Sequence, residues 1–405
     1  MCGSVQSNGE YRTLAERLVL AKPAGMQLWD LNLRHLRGTV KIAELGRMSA
    51  AAQAVNLTQP AMTQALARIE AVLDTPLFDR RQDGMVLTEG GLLLVPRIRA
   101  ALEYIASPHV TMSRMRAMLA LADSGSYTGA AILTGLSLPS LHRAVSDLSL
   151  SLRRKLVDRR GRIVVMTEAG AALARSFRLA RVEIEAGLAE LDALKGHETR
   201  RIVVAAMPLS RAKVIPAAVA RFLRRHPLVQ ISIVEGSRAE LVEPLRNGAV
   251  DLIVGALREP LIEPDLVQEP LFRDRPAVIA RRGHPLEGAT PTLERLAAYP
   301  WVIAAPGAPL RESWRRMFED AEVAVPPVPI ESGSVMAIRQ LLIESDLLTM
   351  LSPDQVAVEL EAGWLVTLRD APAAQERTVG VTSRASWRPT TVQAEFLADL
   401  RAVSG

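Results

Sequence analysis

Residues 49–69 read SAAAQAVNLTQPAMTQALARI, two short helical segments joined by a tight turn. Ser49 stands where it can cap a helix through Ala51-Ala52-Gln53-Ala54-Val55, and Asn56-Leu57 makes the turn. Thr58 then caps a second helix with Pro60 in its first turn, where a proline's missing N–H costs nothing. In that helix Met62, Ala65, Leu66 and Ile69 fall at i, i+3, i+4 and i+7, the spacing of a buried stripe. Gln59, Thr63, Gln64 and Arg68 are left facing outward. Downstream, Gln82-Asp83-Gly84 supplies a turn between Phe78-Asp79-Arg80-Arg81 and Met85-Val86-Leu87, which predicts a hairpin.

This pattern occurs twice. Residues 31–91 align without a gap on 110–170 at a constant offset of 79. Gly46 meets Gly125, Ala51-Ala52 meets Ala130-Ala131, Leu57 meets Leu136, Pro60 meets Pro139 and Ala65 meets Ala144. Leu77-Phe78-Asp79-Arg80-Arg81 matches Leu156-Val157-Asp158-Arg159-Arg160, and Leu87-Thr88-Glu89-Gly90-Gly91 matches Met166-Thr167-Glu168-Ala169-Gly170. One register held over sixty residues is a duplication.

At 405 residues and 49% apolar content the chain has material for two or three domains. Its charge is unevenly placed: residues 1–199 hold 25 Lys+Arg against 19 Asp+Glu, and residues 200–405 hold 24 against 25. A basic front and a neutral back suggest a polyanion-binding part joined to something else. No run of 18 uncharged apolar residues exists, so no membrane span is expected, and Glu10, Arg12, Glu16, Arg17 and Lys22 interrupt any signal-peptide core. Cys2 is the only cysteine, which leaves no disulfide framework and no thiolate cluster. A cytoplasmic protein is expected.

Residues 168–195 contain no proline, and Leu173, Phe177, Ile184, Leu188 and Leu191 recur at helical steps. That spacing predicts a long helix with a seam for a partner helix, the alternative being packing on its own domain. From Arg200 onward short apolar runs alternate with helical patterns. Ile202–Ala206, Ile231–Val234 and Leu252–Val254 read as strands, Ile215–Leu223 and Leu241–Leu245 as helices. Repeated β-α-β units predict a mostly parallel open sheet covered on both faces, with ligands bound at the strands' carboxyl ends near helix N-termini.

The segment Leu45–Gly91 resembles the winged helix-turn-helix of LysR-type transcriptional regulators, through Ala51-Ala52, Leu57-Thr58-Gln59-Pro60-Ala61-Met62-Thr63, Leu77-Phe78-x-Arg80 and Leu87-Thr88-Glu89-x-Gly91. His226-Pro227, Gly248-Ala249-Val250-Asp251-Leu252 and Gly283-His284-Pro285-Leu286 are similar to segments of that family's effector domain. Met207-Pro208-Leu209-Ser210, Pro300-Trp301-Val302 and Glu344-Ser345-Asp346 look most like its galactose-binding-regulator subgroup. The resemblance implies a multidomain chain. An extension (1–30) precedes two winged helix-turn-helix units (31–106 and 107–167) and a linker/dimerisation helix (168–197). A periplasmic-binding-protein-like α/β effector domain of two subdomains follows (198–405, the second roughly 282–372). It also implies double-stranded DNA and a small polar effector as ligands, a sugar or sugar acid first. A homodimer or homotetramer is expected, with RNA polymerase as a protein partner and no cofactor.

On that resemblance Ser49, Thr58, Gln59, Pro60, Thr63, Gln64 and Arg68 form the DNA-reading surface, with Arg80 and Arg81 on the wing. Glutamine can pair bidentately with adenine, a threonine methyl can meet thymine, and wing arginines suit phosphate or the minor groove. In copy two, Leu138 replaces Gln59 and Asp147 replaces Arg68, which weakens base reading and repels phosphate. Residues 110–167 nevertheless carry nine Lys+Arg against three acids, so Arg143, Arg159, Arg160 and Arg162 are expected to grip the backbone. An inert spacer is the alternative, and Ser140 and His142 share the matching surface. In the back half Ser210, Ser237, Arg238, Pro306, Gly307, Ser332 and Ser334 are the expected effector contacts, although each serine suits a helix cap equally well. An enzyme finds little support: there is no G-x-x-x-x-G-K-[ST], H-E-x-x-H or G-x-S-x-G motif, and the six histidines lack metal spacing. A stand-alone solute-binding protein needs an export signal, and a regulator acting through a protein partner with weak DNA binding stays open.

Overall fold

The computed structural model describes residues 28–82, 84–160, 163–196 and 201–404. The chain forms two compact units, the first built largely from residues up to Arg201 and the second largely from Ile202 onward. Among the described residues no helix is long and apolar enough to cross a membrane.

In the first unit one element series occurs twice. Helices α1 (Leu33–Leu45), α2 (Met48–Ala54) and α3 (Gln59–Leu73) lead into the antiparallel hairpin β1 (Phe78–Arg81) and β2 (Gly84–Leu87), then α4 (Glu89–Ile105). The second series is α5 (Met112–Ser124), α6 (Tyr127–Thr134), α7 (Leu138–Leu152), the hairpin β3 (Val157–Arg160) and β4 (Ile163–Met166), and the 27-residue α8 (Glu168–Leu194). Local details recur at the offset of 79. Thr58 and Ser137 cap α3 and α7, and Thr88 and Thr167 cap α4 and α8. Gly46 and Gly125 end α1 and α5 in left-handed backbone. An ion pair also recurs, Arg99 to Glu44 at 3.4 Å and Arg178 to Asp123 at 2.5 Å.

Two expectations are corrected here. Ser49 is not a cap: α2 starts at Met48 after Arg47, whose side chain makes no capping bond, and Ser49 lies exposed in the first turn. In copy two it is Ser126, equivalent to Arg47, that caps the corresponding helix, accepting from Gly129 N–H. The end of the expected extension also belongs to the fold, since Leu28 is buried in the first unit's core; residues 1–27 lie outside the described residues.

The seam on α8 is filled from within the chain. Phe177, Ile184, Leu188 and Leu191 are buried in one core with Leu94, Ile98, Ala101 and Ile105 of α4, and Leu173 packs at its edge. A partner helix from a second chain was the expectation. The apolar stripe specifies only that some helix must cover it, and α4 does. Gly187 permits the close approach, because a Cβ there would lie 2.7 Å from Leu94 Cδ1 and 3.1 Å from Arg97 Cβ.

The second unit holds a five-stranded sheet ordered β6-β5-β7-β14-β8. Its strands are β5 (Arg201–Ala206), β6 (Gln230–Glu235), β7 (Leu252–Ala256), β8 (Leu266–Asp274) and β14 (Arg377–Arg384). β5 and β7 are parallel, and β14 runs antiparallel to both β7 and β8, so β5, β7 and β8 share one direction and the sheet is mostly parallel, as expected, with β14 as its reversed strand. The chain leaves after β8, builds a second subdomain and re-enters the sheet from it, which reverses the strand. That subdomain carries the antiparallel sheet β12-β9-β13, from β9 (Ala277–Arg281), β12 (Thr349–Leu351) and β13 (Leu365–Asp370). A parallel pair, β10 (Val302–Ile303) and β11 (Ile330–Glu331), joins it. With β9 in the second sheet, the first crossing falls at Arg275-Pro276, a few residues ahead of 282. Trp301, Trp314 and Phe318 fill its core, with Phe318 meeting both tryptophan rings edge to face.

Candidate nucleic-acid interface and effector site

Helix α3 splits into two faces as its sequence requires. Met62, Ala65, Leu66 and Ile69 are 1–4% exposed, while Gln59, Pro60, Gln64 and Arg68 are exposed. Thr58 Oγ1 accepts from Ala61 N–H at 3.4 Å. The Thr63 hydroxyl donates to the Gln59 carbonyl at 3.1 Å, so its proton stays with the helix. At the far end Lys195 Nζ donates to the Leu73 carbonyl at 2.7 Å, placing a cation on the helix's negative end. Arg80 and Arg81 stand exposed on β1, opposite Met85 and Gly84. The wing is held to the body by Met85 N–H on the Gly46 carbonyl at 2.8 Å. Gly84 permits that approach, since a Cβ there would meet the Gly46 oxygen at 2.5 Å. Beside Arg68, burial first and then the charges of Arg68 and Arg34 pull His35 below its ordinary value. The face is therefore cationic and polar, with two amides projecting from it.

Copy two departs at the same places. Leu138, at the position of Gln59, is 43% exposed, and His142 stacks on Tyr127 with ring centroids 3.6 Å apart. His142 is thereby taken up in packing rather than offered outward. Asp147 does not stand alone: Arg114 pairs with it at 3.5 Å. Position 114 is equivalent to 35, so an Arg–Asp pair replaces a His–Arg pair. Arg143 is exposed and shares with Ser140, Arg114, Asp147 and the start of α5 a cleft of about 460 Å³. Arg143 there suits a phosphate, while Asp147 takes up the charge of Arg114 and opposes an anion. Arg159 and Arg160 end β3, and Arg162 lies outside the described residues.

In the second unit the expected effector residues fall into two hydrogen-bonded sets. Arg211 draws the ends of β5 and β6 together, donating to the Ala206 and Gly236 carbonyls, with Ser237 and Arg238 following. Ser237 donates through both its N–H and Oγ to Glu240 at 2.7 Å, which lowers that carboxylate's pKa. Arg238 is 8% exposed; Nη2 reaches Glu263 at 3.1 Å, while Nη1 is buried with no hydrogen-bond partner. In the other set, Ser332 N–H donates to the Ile303 carbonyl at 2.9 Å. Pro306 and Gly307 form the exposed turn after β10, and Ser334 caps α9 (Val335–Ile343). Ser210 is a correction: fully buried, its hydroxyl lies 2.8 Å from the Val254 carbonyl and 2.9 Å from that of Met207. One proton engaged in strand-to-turn bonding is not available to an effector.

Residues that sequence reasoning missed tie the subdomains together beside the first set. Gln355 Nε2 donates to the Pro208 carbonyl at 3.3 Å, and Lys213 pairs with Asp354 at 2.7 Å. Ser352-Pro353-Asp354-Gln355 is a capping box, a signal visible in the sequence. His284 is buried; its Nδ1 accepts from Leu286 N–H at 3.1 Å and its Nε2 lies 3.3 Å from the Asp346 carbonyl. Burial holds its pKa below the ordinary value, as a neutral ring donating at Nε2 requires.

Helix-turn-helix units with wings, joined to a two-subdomain α/β unit, define a DNA-binding regulator with a ligand-sensing domain. The chain belongs to the LysR family of transcriptional regulators: the LysR substrate-binding-domain model matches residues 195–404, and the lysR-family bacterial regulatory helix-turn-helix model matches 33–92 and again 112–171. It is similar to the HTH-type transcriptional regulator GalR of Pseudomonas putida, 31% identical over 92% of this chain and 97% of that one. It is also similar to the SDS degradation transcriptional activation protein of a Pseudomonas species, 33% identical over 68% of this chain and 90% of that one. In fold it is similar to ArgP from Mycobacterium tuberculosis, with a TM-score of 0.57 at 18% identity, covering 72% of this chain and 96% of that one.

Proposed function

We propose that copy one reads sequence, that copy two holds DNA backbone, and that an effector bound between the two C-terminal subdomains controls the outcome. The observation that carries the DNA reading is the polar start of α3, with Gln59 and Gln64 exposed, Thr63 half-buried between them, and Arg68, Arg80 and Arg81 exposed beside it. Such a face offers bidentate amides to base edges and guanidinium groups to phosphates. Thr58 and Pro60 set the start of that face, Ser49 offers an exposed hydroxyl from the first turn of α2, and Arg143, Arg159, Arg160 and Arg162 supply cations for copy two.

The division of labour is that of a duplicated winged unit (31–106 and 107–167), a connecting helix (168–197) and a periplasmic-binding-protein-like domain (198–405). Support for the duplication comes from lengths. The Pseudomonas putida relative matches nearly end to end, which leaves it room for both units, whereas the SDS degradation activator matches 68% of this chain. For the effector, the buried Arg238 Nη1 and the exposed turns at Ser237, Gly307 and Ser332–Ser334 favour a polar, anionic or polyhydroxylated molecule, such as a sugar or sugar acid. The protein acts in the cytoplasm as a homo-oligomer, with RNA polymerase as its transcriptional partner. It is a regulator and not an enzyme.

A second reading, in which copy two docks a protein, is favoured by its exposed Ile132, Leu133 and Leu138, which are 80%, 52% and 43% exposed. Replacing Gln64 with Ala tests the first. It is expected to weaken specific binding by about 1–3 kcal/mol and leave non-specific affinity unchanged. Equal losses on both kinds of DNA contradict base reading by α3.

A further inference from the structure

Helices α4 and α8 are the same element of the two copies, and they pack on each other antiparallel. Gly90 lies against Leu191, Leu94 against Gly187, and Arg97 against Glu183. Continued along the pair, that register sets Ala101 opposite Ala180, its own equivalent at the offset of 79, and both are fully buried. A helix pair that meets at equivalent positions has the geometry of a two-fold, self-complementary contact. Here the contact is made inside one chain.

Charge decides which helices pair. Arg97 on α4 bonds Glu183 at 3.2 Å and Glu190 at 3.3 Å on α8, all three buried. The equivalent of Arg97 in copy two is Ser176, and the equivalents of Glu183 and Glu190 in copy one are Tyr104 and Thr111. A second α8 in place of α4 therefore leaves buried carboxylates without a cation, and a second α4 in place of α8 leaves a buried arginine without a carboxylate. Either mismatch is costly, and only α4 with α8 satisfies both.

The antiparallel pair also sets a spacing. Copy two's wing hands over to α8 at Glu168, and copy one's wing hands over to α4 beside Leu191. From Glu168 to Leu191 is about 35 Å of helix axis, which matches about one turn of B-DNA.

We infer that one chain is the counterpart of a two-fold DNA-binding dimer, spanning two adjacent and non-identical half-sites about one helical turn apart. The inference rests on the DNA-reading function proposed above. The test counts half-sites per chain. Full-length protein selects DNA from a random library, hydroxyl-radical footprinting marks protected half-sites, and native mass spectrometry counts chains on the same DNA. Two protected half-sites per chain are expected, one of enriched sequence under copy one and one of no fixed sequence under copy two. One half-site per chain overturns the inference and leaves the proposed function standing, whereas no protected sequence overturns both. In a second arm Ala101→Cys and Ala180→Cys, in a Cys2→Ser background, should form a disulfide at single-chain mass on mild oxidation. A covalent two-chain product means that α4 and α8 pair between chains, which also overturns it; the footprint count on wild-type protein decides if that variant does not fold.

Discussion

Arg97 Nη1 on α4 lies 3.2 Å from Glu183 Oε2 on α8, a buried contact between positions 86 residues apart that no motif in the sequence announces. With Glu190 it makes a guanidinium clamped by two carboxylates. Removing a single partner strands the others in a poorly solvated interior. Arg97→Ala should destabilise the first unit by about 3–5 kcal/mol. Thermal unfolding at neutral pH checks this. A loss under 1 kcal/mol at neutral pH would show that the triad is solvated.

Copy two's contribution is expected to be electrostatic. Changing Arg159, Arg160 and Arg162 together to Gln should lower affinity for all sequences alike. It should flatten the salt dependence by up to about three units of slope. Sequence preference should survive. An unchanged slope in a salt titration would instead favour the protein-docking role suggested by Ile132, Leu133 and Leu138.

The effector site makes a contrast between two residues. A sugar or sugar acid present at a hundred times its dissociation constant should stabilise the second unit by about 2.7 kcal/mol. Arg238→Met should abolish that shift, because it removes the guanidinium with an unfilled buried N–H. Ser210→Ala should cost about 1 kcal/mol of stability through its lost hydrogen bond and keep the ligand shift. Differential scanning of the full chain against a ligand panel reads both. A shift retained in the Arg238 variant and lost in the Ser210 variant would reverse the assignment.

Two histidines give stability a pH dependence of definite sign. Burial lowers the pKa of His284, and burial with Arg68 and Arg34 lowers that of His35. Both therefore bind protons more readily when unfolded, from the ordinary value of 6.5 downward. Stability should be fully present above that value and fall as pH drops below it. His284→Asn, which keeps an acceptor for Leu286 N–H, should remove part of the slope between pH 7 and 5.5. Parallel melting profiles for the two proteins would take His284 out of the linkage.

Much of this molecule was legible in its sequence where the pattern is local. The stripe of Met62, Ala65, Leu66 and Ile69 is buried, and Phe78–Arg81 pairs with Gly84–Leu87 as the expected hairpin. The offset of 79 carries caps, positive-φ residues and an ion pair with it. What failed was the identification of partners. A stripe on α8 says that something covers it, and only the matching stripe of Leu94, Ile98, Ala101 and Ile105 could have pointed to α4. Ser49 and Ser210 misled because a hydroxyl near a helix start suits a cap, a ligand contact and a tertiary bond alike. The reversed β14 follows from a long-range return of the chain, which alternating β and α patterns do not encode.

The claim on which the rest depends is that α3 of copy one reads base edges. Its most direct test is a binding-site selection with the full chain, run beside the variant with Gln59, Thr63 and Gln64 all changed to Ala. Wild type should enrich one motif, and the variant should lose it while keeping the same affinity for random DNA at matched salt. Enrichment of the same motif by both proteins, or of none by wild type, would contradict it.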